Sequence, residues 1–128
     1  MKMKTLLFAC ITLVGLAAHA ADGHKHAEAA PKYGGQVKEV DEVQYELVAK
    51  PDRLTLYVDD HGKKADAKGM TAKVTLRNGS ERTEVNLQPT TDNKLEATGN
   101  FKVTAGTVAI AQMKLPGKGE QSVRFTLK

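Results

Sequence analysis

From Gly34 onward the sequence predicts an all-β domain built as two packed antiparallel sheets, and three observations predict it. Apolar residues recur at every second position over long stretches, as in Val43, Tyr45, Leu47 and Ala49. That is the pattern of half-buried antiparallel strands. Turn chemistry punctuates the chain at Pro51-Asp52, His61-Gly62, Asn78-Gly79, residues 89–93 and residues 116–119. No stretch of the domain carries a capped helical period. Seven to eight short strands of this kind are expected to form an immunoglobulin-like antiparallel β-sandwich, here without the disulfide and tryptophan of antibody domains. A small barrel is the alternative closure.

Val37 and its neighbours read as a short first strand. Val43, Tyr45, Leu47 and Ala49 then share one face, against Gln44, Glu46 and Lys50. After Pro51-Asp52, Leu54, Leu56 and Val58 continue the inward face, with Arg53, Thr55, Tyr57 and Asp59 expected outside. Residues 59–70 form a polar loop. Ala72, Val74 and Leu76 alternate with Lys73, Thr75 and Arg77 and lead to Asn78-Gly79, a dipeptide that tolerates positive φ in a tight hairpin. Thr83, Val85 and Leu87 return. Leu95 with Ala97, and Phe101 with Val103, make short apolar stretches on either side of Gly99-Asn100. Residues 107–115 are apolar on both faces, which predicts a central strand. Val123, Phe125 and Leu127 close the domain.

The first twenty residues read differently. Lys2 and Lys4 precede an apolar run that ends in Ala18-His19-Ala20, the arrangement of a signal peptide with its cleavage site. Cleavage after Ala20 is the first choice, with Ala18 and Ala21 as alternatives, and Cys10 belongs to the leader. The leader directs the protein to the periplasm, with no membrane insertion after cleavage. Its removal leaves 108 residues with no cysteine and a formal balance of +2. That length can bury a core without disulfides or a metal for folding. Residues 21–33, which contain His24, His26 and Pro31, lack apolar periodicity and are expected to be a disordered arm. The domain itself spans residues 34–128.

Composition excludes several functions. Lys and Arg are interspersed with acids, as in Lys38-Glu39, and aromatics are few, so nucleic acid is not the expected partner. The chain has no Gly-x-Ser-x-Gly, no phosphate-binding glycine loop and no His-x-x-x-His pair. It is therefore not expected to be an enzyme.

The residues that can carry chemistry are the histidines. His24 and His26 flank Lys25, and in an extended segment two imidazoles at this spacing can converge on one ion; imidazole suits Cu(II) and Zn(II). Cleavage after Ala21 would leave Asp22-Gly23-His24 at the terminus, where amine, amides and imidazole form a square-planar Cu(II) site. Cleavage after Ala18 would make His19 the first residue, able to chelate through amine and ring. In Asp59-Asp60-His61, Asp59 and His61 can share one side of a strand and Asp60 cannot easily join them. The candidate metal ligands are thus His24, His26, His61 and Asp59. Met70 and Met113 are too far apart in sequence to suggest a thioether site.

Tyr33-Gly34-Gly35-Gln36-Val37, Val43-Gln44-Tyr45-Glu46-Leu47-Val48 and Leu56-Tyr57-Val58-Asp59-Asp60-His61-Gly62-Lys63 carry a resemblance to a known family. The sequence resembles small exported β-sandwich proteins, also found fused to the periplasmic adaptors of heavy-metal efflux systems of the resistance-nodulation-division type. The resemblance implies a non-catalytic accessory in heavy-metal resistance that buffers or presents Cu, Ag or Zn ions, with an efflux adaptor protein as partner. That family often carries His-Gly-Gly where this chain has Tyr33-Gly34-Gly35, so one imidazole is missing and the weight shifts to the arm. A structural or protein-binding sandwich with no metal role is the alternative.

Overall fold

The computed structural model describes residues 30–128; the expected leader and the segment bearing His24 and His26 lie outside the described residues. Nine strands are present among the described residues: β1 (Gln36–Val40), β2 (Val43–Lys50), β3 (Arg53–Asp60), β4 (Lys63–Lys64), β5 (Thr71–Asn78), β6 (Glu81–Pro89), β7 (Lys94–Thr98), β8 (Val108–Leu115) and β9 (Gly119–Thr126). All pairings are antiparallel. One sheet runs β1-β2-β3-β7, with β4 folded back on the end of β3; the other runs β6-β5-β8-β9. Setting β1 and β4 aside, the order is immunoglobulin-like except that the fourth strand, β6, pairs mainly with β5, and the chain crosses between sheets from β3 to β5, from β6 to β7 and from β7 to β8.

The sheets meet along β6. Its first part pairs with β5, whereas Gln88 and Pro89 pair with Glu96 and Leu95 of β7. At the opposite seam β1 lies against β9 without a ladder between them. The result is a sandwich close to the barrel that was its alternative. Between the sheets lie Tyr45, Leu47, Leu54, Leu56, Val58, Val74, Leu76, Leu95 and Phe125, joined by Ala67 and Met70 from the β4–β5 connection. Met70 and Met113 are both core residues.

The expected inward faces are observed, and residues 107–115 do form the central strand, with β8 between β5 and β9. Three details differ. The tight turn expected at Asn78-Gly79 is centred one residue later, because Asn78 pairs with Glu81 across Gly79-Ser80. Gly79 alone of the pair takes a positive φ, 59°. Asn78 instead donates to the Lys102 carbonyl at 3.0 Å and accepts from the buried Thr107 hydroxyl. Phe101 and Val103 form no strand; the Phe101 amide donates to the Pro51 carbonyl at 2.7 Å, and both side chains pack against the core. Finally, Glu46, Thr55 and Asp59 point away from the core as expected, yet all three are buried.

Candidate functional site

The burial of Glu46 and Asp59 has one source. Residues 30–35 cross the outer face of β2 and β3, and the Glu46 carboxylate collects their backbone. It accepts from the Lys32 amide at 2.7 Å, the Tyr33 amide at 2.7 Å and the Gly35 amide at 3.0 Å. A carboxylate bonded to several amides is a strong anchor, because the acceptor is charged. The crossing also needs glycine. Gly34 has a φ of 78°, and a Cβ on Gly35 would stand 2.3 Å from the Leu47 carbonyl oxygen.

Two side-chain contacts complete the anchor. Tyr33 stacks on Tyr57 of β3, with ring centroids 3.7 Å apart and planes within 6°. The Lys32 ammonium donates to Asp59 at 2.9 Å, while the other Asp59 oxygen accepts from the buried Asn93 amide at 2.8 Å. The hydrogen bond and charge of Asp59 raise the Lys32 pKa above its ordinary 10.5, against a smaller opposing effect of burial. Burial, with the Glu96 charge second, raises the Tyr57 phenol. Lys32 and Tyr33, placed by sequence in the arm, are thus fixed to the sandwich.

His61 belongs to a separate cluster at one end of the sandwich. Asp41 and Glu42 in the β1–β2 turn, and His61 and Gly62 in the β3–β4 turn, all have positive φ, the geometry that matches the twist of two-residue hairpins. The His61 amide donates to the Glu42 carbonyl at 3.1 Å and ties the two turns together. The exposed imidazole lies between two carboxylates, Nδ1 against Asp60 and Nε2 against Glu42. Asp60 also receives Lys118 from the β8–β9 turn at 3.2 Å. The hydrogen bond to Asp60 is the main cause that raises the His61 pKa above 6.5, with Glu42 assisting and desolvation opposing. The same bond, then that of Lys118, lowers Asp60 below 3.8. As an imidazolium, His61 can donate from both nitrogens; to ligate a metal it must lose a proton and release one carboxylate.

Of the expected ligands, His24 and His26 lie outside the described residues. Asp59 and His61 are not brought together: Asp59 faces Lys32 and Asn93 over the sheet, and His61 faces Asp60 and Glu42 in the turn. Asp60, which was not expected to join Asp59 and His61 easily on one side of the strand, is the direct partner of His61. Among the described residues no three His, Cys, Asp or Glu groups are placed to hold one metal ion. Sequence reasoning missed Lys32, Tyr33, Glu46 and Glu42. The pair Gly34-Gly35 was the available signal for a close backbone approach, whereas nothing in the alternation around Glu46 separates a buried carboxylate from a solvated one.

No protein-family model matches the chain, and no curated protein matches it. Among solved structures, the crystal structure of a Br derivative of BhCBM56 is similar at 10% identity, with a TM-score of 0.43, covering 72% of this chain and 99% of that one.

Proposed function

We propose that this chain is a periplasmic, non-catalytic metal-binding accessory of a heavy-metal resistance or efflux system, with His24 and His26 taking Cu, Ag or Zn ions as cargo. The observation that carries the reading is the pair of imidazoles two residues apart, in a short polar segment between the expected leader and the anchored Lys32. Neutral imidazole nitrogens suit these borderline and soft ions, and two such ligands leave coordination positions open for transfer to a partner. The anchor supports the reading. Lys32 stands six positions after His26, a reach of about 20 Å at full extension, so the sandwich can hold a metal-bearing segment near its own face. His61 and Asp59 are left out of the ligand set, because each already has two polar side-chain partners. A second reading is a structural or protein-binding sandwich whose arm is incidental, and it is favoured by the finding that among the described residues no three His, Cys, Asp or Glu groups are placed to hold one metal ion.

Calorimetric titration of the exported protein with Zn(II) and Cu(II) tests the proposal against a version whose residues 21–29 are scrambled. Tighter binding by the natural order supports it. Equal affinity in the two proteins leaves only the second reading, which requires that deleting residues 21–29 leave partner binding unchanged.

A further inference from the structure

The sheet β6-β5-β8-β9 turns its other face away from the core, and that face carries the domain's charge surplus. Register places Lys73, Arg77, Arg82, Lys114 and Arg124 on it, against only Glu84 and Glu120. Residues 30–128 contain sixteen Lys and Arg and thirteen Asp and Glu, so this one face accounts for the whole excess of three. The outer face of the other sheet is closer to balance, with Lys32, Lys50, Arg53, Lys64 and Lys94 facing Glu39, Glu46, Asp59 and Glu96.

The arrangement is also locally unfavourable. Arg77 stands directly opposite Arg82, a cross-strand like-charge pair that costs stability. Glu84 reaches Arg82 at 3.5 Å and Lys73 at 3.9 Å, but among the described residues neither Arg77 nor Arg124 has an ion-pair partner. Four strands give a platform about 15 Å across, with half-buried Ile110 near its middle and half-buried Val108 toward one end. No aromatic side chain stands on it: Tyr33 and Tyr57 lie on the opposite sheet, and Tyr45 and Phe125 are in the core. Ligands held by stacking, such as nucleic-acid bases and sugar rings, therefore find no support here. A planar field of guanidinium and ammonium groups with nothing to insert is complementary to a planar field of phosphates.

The geometry points to this face as a peripheral docking surface for the head groups of anionic phospholipids, which holds the protein against a membrane without insertion. The inference is independent of the metal reading, since no arm residue takes part.

Flotation with phosphatidylglycerol/phosphatidylcholine vesicles tests it, using protein purified from the exported fraction so that no leader contributes. Binding is expected to mixed vesicles at low salt, to weaken as salt rises, and to be absent from pure phosphatidylcholine. Replacing Arg77→Glu together with Arg124→Glu should lower vesicle affinity at least about tenfold. Lys50→Glu with Arg53→Glu on the opposite sheet should leave it unchanged. Should the double reversal fail to fold, Arg77→Gln with Arg124→Gln makes the same comparison with a smaller loss. Absence of binding to anionic vesicles, equal loss from both pairs of substitutions, or capture by soluble polyglutamate but not by vesicles would each overturn the proposal.

Discussion

Glu46 receives three amide protons from the segment that crosses it, and its own side chain is shut from water by that segment. Removing the carboxylate strands those donors, although part of the segment can turn back to solvent. Glu46→Ala is expected to lower the free energy of unfolding by about 2 kcal/mol, and Glu46→Gln by about half as much because one oxygen remains; urea denaturation measures both. His61 makes a pH-dependent contribution. Its folded pKa is raised, so its stabilisation is fully present below 6.5 and is lost as pH rises through the higher folded value. Asp60 is lowered, so its contribution is present above 3.8 and is lost as pH falls through its folded value. The turn cluster is therefore tightest between these limits. His61→Asn keeps a residue that tolerates the positive φ. The natural protein should exceed this variant in urea resistance at pH 5.5, and the difference should shrink at pH 8.5. An unchanged difference would remove the imidazolium from the account.

At the scale of elements, alternation made the inward faces of β2, β3, β5, β8 and β9 legible, because the side-chain period of a strand is two and one face meets the core. It also placed Glu46, Thr55 and Asp59 on the outer face correctly. Their burial was not legible, since period two reports which face a residue occupies and not what later lies across that face. Lys32 and Tyr33 show the complementary gap. A polar stretch without periodicity reads as an arm, and only three-dimensional proximity reveals that a glutamate on β2 is waiting for its amides. The site was less legible than the fold for the same reason: Asp59 and His61 were spaced for one side of a strand, but a left-handed turn at His61 redirects the imidazole toward Asp60 and Glu42. Gly35 is the sharpest test of the crossing element. Gly35→Ala places a methyl against the Leu47 carbonyl and should cost about 2–3 kcal/mol by forcing residues 30–35 off the sheet. Amide hydrogen exchange should then rise at Lys32, Tyr33 and Gly35 while β8 stays protected. Equal loss of protection throughout would mean that the segment is not a separable element.

At the scale of the whole molecule, residues 30–128 form one nearly closed sandwich with residues 30–35 laid across one of its faces. Among the described residues, twenty buried apolar side chains drawn from both sheets and the β4–β5 connection form one core, and the buried carboxylates Glu46 and Asp59 are met by hydrogen-bond donors. Chelators should therefore leave the thermal unfolding of a protein spanning residues 21–128 unchanged, and deletion of residues 21–29 should shift it only slightly. Residues 30–35 fix the start of the described chain to one sheet, and the basic outer face of β6-β5-β8-β9 lies on the other. Metal uptake by His24 and His26 is the central claim, and it is most directly tested by Cu(II) calorimetry on a protein spanning residues 21–128 and on its His24→Asn, His26→Asn double variant. The account predicts a tight equivalent of metal in the first that is lost in the second, with the same unfolding midpoint for both without metal. Equal Cu(II) binding by the two proteins, or none by either, would contradict it.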